Sequence, residues 1–305
     1  MSIVDYIQAN TDGRLHDARE PSVSALNRGY LYGDAIYEVW RTYDGVVFAW
    51  EDHGKRLKQS AVALYFPALP DETFWWAEIS KTVAAFRSHS AWAGDIYIRL
   101  QIARGEGPIG LDPALADKIS YVILVKPVPV MPAAQQQHGM RLSVATTLRR
   151  NAVETLNPAW KTGNYLNNIL CLREARARGA DEVLMTNLAG EITEAAVCNV
   201  AFVRDGEVIT PPLSAGMLEG ITRRRLLDAV APAVGVRTRE AALRPEDLGS
   251  MQECFLLSTT KDVQPVSAID GHTYAVGAGT VGAQLKAAFQ QHAAAYTAAH
   301  PELKL

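Results

Sequence analysis

Residues 95–104, Asp-Ile-Tyr-Ile-Arg-Leu-Gln-Ile-Ala-Arg, alternate apolar and polar side chains. A period of two belongs to a strand with one face buried, and a helix does not present it. Such a strand must lay its apolar face on a second layer, which commits the chain to a sheet covered on at least one side. Tyr97 and Arg99, two residues apart, share the polar face.

The rest of the chain supplies partners for that strand. Residues 38–50 read as two short strands around Tyr43-Asp44-Gly45, because Asp-Gly between apolar residues is a strong hairpin signal. Helical spacing follows over 53–64 and 73–89, and 121–125 is an apolar run of the kind found in a buried strand. Residues 126–138 hold three prolines and three consecutive glutamines, the composition of a linker. Beyond them the pattern predicts strands at 141–146, 181–186 and 254–258, and a hairpin over 199–210 around Asp205-Gly206. Helices are predicted over 164–178 with Gly179 as C-cap, over 222–230, and over an alanine-rich stretch at 281–299. Strands and helices mix without strict alternation, which favours α+β over a doubly wound sheet. The expected domains are a smaller N-terminal α+β domain over 1–127, a linker over 128–137 and a larger C-terminal domain over 138–305.

A chain of 305 residues buries a substantial core without disulfides. Its formal net charge of -3 comes with no run of like charge, so nothing points to nucleic acid or to an anionic membrane. The three cysteines, Cys171, Cys198 and Cys254, are odd in number and widely spaced. They fit buried thiols in a reducing compartment better than a disulfide framework. The first residues, Met-Ser-Ile-Val-Asp, lack a basic stretch leading into an apolar one, and no segment approaches about 18 apolar residues in a row. A cytoplasmic protein with small-molecule partners and no metal site is the expectation.

Taken singly, no candidate for chemistry stands out. A lysine such as Lys161 is ordinarily solvated, Glu194 an ordinary surface carboxylate and Arg56 a snorkelling charge on a helix. Taken in order they form a pattern. It begins at Arg28-Gly29-Tyr30-Leu31-Tyr32-Gly33-Asp34-Ala35-Ile36-Tyr37-Glu38 and continues through His53-Gly54-Lys55-Arg56-Leu57. It resumes at Lys161-Thr162-Gly163-Asn164-Tyr165-Leu166-Asn167, at Gly190-Glu191-Ile192-Thr193-Glu194 with Asn199, and at Leu218-Glu219-Gly220-Ile221-Thr222-Arg223. It closes at Ser258-Thr259-Thr260 with Gln264-Pro265-Val266.

These blocks resemble the class IV aminotransferases, the fold type IV pyridoxal 5'-phosphate (PLP) enzymes. The resemblance implies an α+β, two-domain fold like that of D-amino-acid aminotransferase, with the cofactor between the domains. It implies that Lys161 holds PLP as a Schiff base and, once displaced, carries the proton at the substrate's α-carbon. Pro158 and Trp160 beside it suit an apolar pocket that favours the neutral amine. Glu194 takes the place of the pyridine-nitrogen partner, which keeps the ring an electron sink. Tyr165 corresponds to the partner of the phenolic oxygen. Phosphate binding falls to Gly220, Ile221 and Thr222 at a predicted helix start, to Arg56, and to Thr259 and Thr260. Relatives often carry glycine or serine where this chain has Ala195-Ala196-Val197, so no cofactor contact is read from that turn.

The substrate pocket divides the family. Tyr32 with Tyr97-Ile98-Arg99, and Arg41, look like the branched-chain pattern, in which that tyrosine and arginine help to hold the substrate carboxylate. Val39, Arg28-Gly29-Tyr30 and Ser258-Thr259-Thr260 look more like the D-amino-acid enzymes. Against these stands Ile109-Gly110-Leu111, where D-amino-acid enzymes place an arginine and a histidine. The expected activity is therefore transamination between a branched-chain L-amino acid and a 2-oxo acid. The expected corner for the carboxylate is Tyr97 and Arg99 with Thr259 and Thr260, and Tyr32, Tyr37 and Val39 are expected to receive the side chain. A D-amino-acid or (R)-amine transaminase is the alternative, followed by an aminodeoxychorismate lyase and, last, a cofactor-free binding or scaffold protein. The resemblance also implies a homodimer or higher homo-oligomer.

Overall fold

The computed structural model describes residues 6–116 and 118–305. The chain divides into two compact units. The first comprises the chain up to Pro129 with Trp160–Asn164 and Ala294–Leu305; the second comprises Val130–Ala159 and Tyr165–Ala293. The first unit thus takes two short pieces that a division into consecutive domains gives to the later part of the chain.

In the first unit the elements run β1 (Gln8–Thr11), β2 (Arg14–Asp17), α1 (Arg28–Tyr32), β3 (Ala35–Tyr43), β4 (Val46–Val47), α2 (Trp50–Ala63), α3 (Glu72–His89), β5 (Ile96–Ala103) and β6 (Ser120–Pro127). The strands form one antiparallel sheet in the order β2-β1-β6-β5-β3-β4. The alternating segment is β5, and its two faces differ as the pattern predicts. Ile96, Ile98, Leu100 and Ile102 are fully buried, while Tyr97, Arg99 and Gln101 are half-buried. Each buried aliphatic side chain contributes about 1.5–3 kcal/mol relative to exposure, so the face under the helices anchors the sheet.

The hairpin of 38–50 lies where Asp44-Gly45 places it, with both residues at positive φ (51° and 81°). That left-handed geometry is what Asp-Gly turns supply. Helix α2 begins at Trp50, earlier than the apolar spacing from residue 53 indicates. Glu51 and Asp52 in its first turn suit the positive end of the helix dipole.

The second unit holds α4 (Ala133–His138), β7 (Met140–Val144), α5 (Leu166–Ala177), β8 (Glu182–Thr186), β9 (Ile192–Ala195), β10 (Asn199–Arg204), β11 (Glu207–Thr210) and α6 (Ile221–Arg225). After α6 the chain passes through a π-helical stretch, Leu226–Val230, into α7 (Ala231–Ala233). There follow β12 (Thr238–Glu240), β13 (Glu253–Ser258), β14 (Asp262–Ile269), β15 (His272–Thr273) and α8 (Val281–Ala299), whose last residues from Ala294 count with the first unit. The sheet runs β12-β11-β10-β13-β14-β7-β8-β9, with β15 on β14. It mixes parallel pairs (β11 with β12, β14 with β7, β7 with β8) and antiparallel ones, which makes the fold α+β.

The stretch with linker composition is ordered. Its glutamines lie in α4, where Gln135 Nε2 donates to Asp181 Oδ1 (2.9 Å) and Gln135 O accepts from Gln264 Nε2 (2.8 Å). Alanine and glutamine are good helix formers, and polar composition alone did not reveal this packing. All three cysteines are free and buried, and burial pushes each thiol up from its ordinary range. Among the described residues, no helix is long and apolar enough to cross a membrane.

Candidate active site

Lys161 is fixed by its backbone to the sheet of the first unit. The segment Trp160–Asn164 lies antiparallel to the start of β3: Tyr37 N donates to Lys161 O (3.0 Å) and Gly163 N donates to Ala35 O (2.9 Å). From α2, Ser60 Oγ accepts from Lys161 N (3.1 Å). The far end is pinned at Gly33, whose O accepts from Asn164 Nδ2 (2.9 Å). A Cβ on Gly33 would stand 2.5 Å from Asn164 Oδ1, and its φ of 69° favours glycine in any case. The Lys161 amine meets Tyr37: Nζ donates to the hydroxyl (3.2 Å) and lies 4.3 Å from the ring centre.

Tyr37 belongs to a polar sheet face built across three strands. Opposite it on β5 is Gln101; Val39 faces Arg99, and Arg41 faces Tyr97, whose other neighbour is Lys126 on β6. The Arg99 guanidinium lies 3.9 Å above the Tyr37 ring, so one aromatic ring carries a cation on each of two contacts. Burial pushes the Tyr97 hydroxyl up, with Arg99 opposing and Tyr37 adding to the shift. Tyr37, Val39, Tyr97 and Arg99 therefore share one stretch of this sheet, with the Lys161 amine on Tyr37. Tyr32 is tied instead to the loop after β5: its hydroxyl accepts from Gly110 N (3.1 Å) and Arg28 faces its ring.

On the opposite face of the same strand, Glu38 is fully buried and closed into a polar cluster that sequence reading missed. Arg56 donates to it twice, from Nε (2.7 Å) and Nη2 (2.9 Å), and His53 Nδ1 lies 2.7 Å from Glu38 Oε2. Burial opposes ionisation of Glu38, yet Arg56 and His53 outweigh it and hold the carboxyl well below its usual range. Burial lowers His53, whose ring is then a neutral N–H donor to the carboxylate rather than half of an ion pair. Arg56, expected on phosphate, thus gives two of its nitrogens to Glu38. A charged residue two places from buried Ile36 and Trp40 on one strand face was the readable signal.

In the second unit Glu194 sits on β9 with Arg150 Nε donating to Oε1 (3.0 Å) and Asn199 Nδ2 to Oε2 (3.2 Å). Leu218 N also donates to Oε2 (3.4 Å), and Asn199 Nδ2 donates to Leu218 O (2.9 Å). Asn199 ties this carboxylate to the turn that opens α6: a Cβ on Gly220 would stand 1.9 Å from Asn199 Oδ1. Any side chain there would have to displace the Asn199 amide. Ile221 and Thr222 follow, both buried, and Thr259 and Thr260 are half-buried in the turn between β13 and β14. Tyr165 stands at the N-cap of α5. Sequence reading missed Arg150, which lies 44 residues from its partner.

The family model for class IV aminotransferases matches residues 35–269. A Methanocaldococcus jannaschii protein provisionally named a branched-chain-amino-acid aminotransferase is 34% identical over 262 residues, covering 85% of this chain and 87% of that one. The D-alanine aminotransferase of Bacillus licheniformis is 29% identical over 273 residues, covering 88% and 90%. The crystal structure of the Escherichia coli branched-chain aminotransferase superposes with a TM-score of 0.84 at 29% identity, covering 94% of each chain. The residues present fit PLP. A half-buried lysine amine hydrogen-bonded to a tyrosine can bond to an aldehyde carbon. A buried carboxylate beside Arg150 and Asn199 suits a protonated ring nitrogen, and the side-chain-free turn at Gly220 leaves backbone N–H groups for a phosphate. This chain belongs to the class IV aminotransferases, fold type IV enzymes that depend on PLP and transfer an amino group between an amino acid and a 2-oxo acid.

Proposed function

We propose that this enzyme prefers branched-chain L-amino acids as donors and that Lys161 is its cofactor-bonding lysine. When bound, PLP supplies an aldehyde carbon that takes up the amino group and a ring that stores the electrons released at the substrate's α-carbon. The Lys161 amine moves the proton at that carbon, and the Tyr37 hydroxyl, 3.2 Å away, orients the amine. Glu194 keeps the ring nitrogen protonated, and Tyr165 receives the phenolic oxygen. Gly220, Ile221, Thr222, Thr259 and Thr260 hold the phosphate, together with a guanidinium of Arg56 already paired with Glu38. Tyr97 and Arg99 bind the substrate carboxylate, while Tyr32, Tyr37 and Val39 bound its side chain. The proposal includes a homodimer or higher homo-oligomer in the cytoplasm.

The observation that carries this reading is the Arg99 guanidinium stacked on Tyr37. It sets a cation against the ring that also receives the Lys161 amine, and among the described residues no carboxylate pairs with it. An anionic group on the substrate is its natural counterpart. The similarity to D-alanine aminotransferase supports the D-amino-acid reading as the second choice. A panel of L-leucine, L-valine, D-alanine and (R)-1-phenylethylamine, each with pyruvate and 2-oxoglutarate, tests the assignment. L-Leucine or L-valine should turn over well ahead of the others; a lead for D-alanine or the amine transfers the enzyme to the alternative.

A further inference from the structure

Arg99 is held by a neutral residue. Gln101 Oε1 accepts from both Nε (3.3 Å) and Nη2 (2.8 Å) of Arg99, one pleat along β5. Gln101 is also the cross-strand partner of Tyr37, the ring on which the guanidinium rests. The other end of its side chain reaches the lysine segment: Gln101 Nε2 lies 3.4 Å from where a Cβ on Gly163 would stand. One amide therefore touches the arginine and adjoins the backbone two residues beyond Lys161.

We propose that Gln101 is a positioning residue for carboxylate recognition, fixing the plane of Arg99 on Tyr37 without cancelling its charge. This rests on the reading of Arg99 as the carboxylate-binding residue. The physical argument turns on what an acceptor at this position does to a cation. An arginine presents five N–H donors in a fixed fork, and an acceptor at Nε and Nη2 sets the direction of the remaining edge. A glutamate would hold the fork as well but would form a charge-assisted pair and compete with the substrate's carboxylate. A glutamine oxygen sets the same geometry and leaves the full positive charge for the ligand. An apolar residue would leave the charge and loosen the orientation, since the Tyr37 ring resists rotation of the guanidinium about its normal only weakly and the Tyr97 hydroxyl supplies a single further contact.

The two losses separate in two variants, measured on the holoenzyme beside Arg99→Ala. Gln101→Glu should weaken binding of 4-methylpentanoate, a carboxylate that cannot react, by about tenfold or more in calorimetry, the scale of a hydrogen bond to a charged group. It should raise the KM for 2-oxo acids relative to that for (R)-1-phenylethylamine by a similar factor. Gln101→Leu should move both quantities in the same direction by a smaller factor, and circular dichroism and the cofactor's absorbance report whether each variant is folded and loaded. If Arg99→Ala weakens 4-methylpentanoate while Gln101→Glu binds it as tightly as the parent, Gln101 is merely structural and the proposal falls alone. If Arg99→Ala also binds it undiminished, the reading of Arg99 falls and takes this proposal with it.

Discussion

The two faces of β3 carry charge in opposite ways. On the helix-covered face Glu38 receives Arg56 and His53 at 2.7–2.9 Å, and the carboxylate is fully buried. On the other face Lys161 and Arg99 flank Tyr37, and their partners among the described residues are a hydroxyl, an amide and an aromatic ring. Neighbouring residues on one strand thus serve opposite ends. A closed cluster of charge in a core stabilises only the arrangement it already has, and losing one member leaves another buried without compensation. An open set of cations with neutral partners has its counter-charge still to come, which is the condition for binding an anion. The contrast predicts that substitutions of Lys161 and Arg99 change activity first and that substitutions of Glu38 and His53 change stability first.

The largest effect should follow Lys161→Ala. On the proposed role of Lys161, covalent capture of the cofactor and proton transfer both depend on its amine, so turnover should fall by about 10⁴-fold or more, over ~5 kcal/mol of barrier. Borohydride should no longer fix the cofactor to the chain, while the thermal midpoint of the cofactor-free protein stays near the parent's. Normal turnover would remove Lys161 from its role, and a collapse of stability would erase the distinction between the faces. Next comes Glu38→Ala, which removes the buried carboxylate that accepts two hydrogen bonds from Arg56 and one from His53 and should cost about 3–5 kcal/mol in urea unfolding. Glu38→Gln keeps the shape and some of the hydrogen bonds and should cost less. A Glu38→Ala protein as stable as the parent would mean that the cluster is not closed in solution.

The open face was legible because its residues are regularly spaced on one strand: Tyr97, Arg99 and the apolar residues between them announce the strand and its polar side together. Lys161, Glu194 and the Gly220 turn could be assigned only through the family pattern, since nothing local marks a lysine in a segment that pairs with a strand 124 residues earlier. The closed cluster stayed hidden for a related reason. Its members lie 15 and 18 residues from Glu38 on a helix, and periodicity says which side a residue faces, never which side chain it meets. The hairpin of β1 and β2 was missed although Asp12-Gly13 carries the same turn signal as Asp44-Gly45. Its strands hold Gln8, Asn10 and His16, all buried, with Asn10 Nδ2 satisfied by Glu78 Oε2 (2.8 Å) and Thr82 Oγ1 (3.0 Å) on α3. A strand buried through hydrogen bonds shows no apolar alternation. The order within 126–138 escaped likewise, because proline and glutamine were counted and their partners were not.

The smallest effect concerns acid and reads the closed cluster directly. Burial holds His53 neutral in the folded protein, below its ordinary value of 6.5. As pH falls through 6.5 the unfolded chain binds a proton there and the folded chain does not, so stability declines as pH decreases, by up to about 1.4 kcal/mol per unit for this one site. Glu38 has the same sign in a lower window: its depressed carboxyl contributes in full above its ordinary 4.5, and the contribution is lost as pH falls further. Two stages of acid weakening follow, and only the upper one belongs to the histidine. In His53→Asn the side-chain amide can still donate to Glu38 Oε2 but does not titrate, so this variant should lose less stability than the parent between pH 6.5 and 5, by urea midpoints at each pH. Groups remote from His53 act equally in both proteins and cancel in the difference, and Glu38 titrates in the lower window. Parallel curves for the two would mean that His53 takes up its proton in the folded protein as readily as in the unfolded chain. The cluster would then hold two cations against one carboxylate, and the claim that this face is closed by a neutral donor would have to be given up.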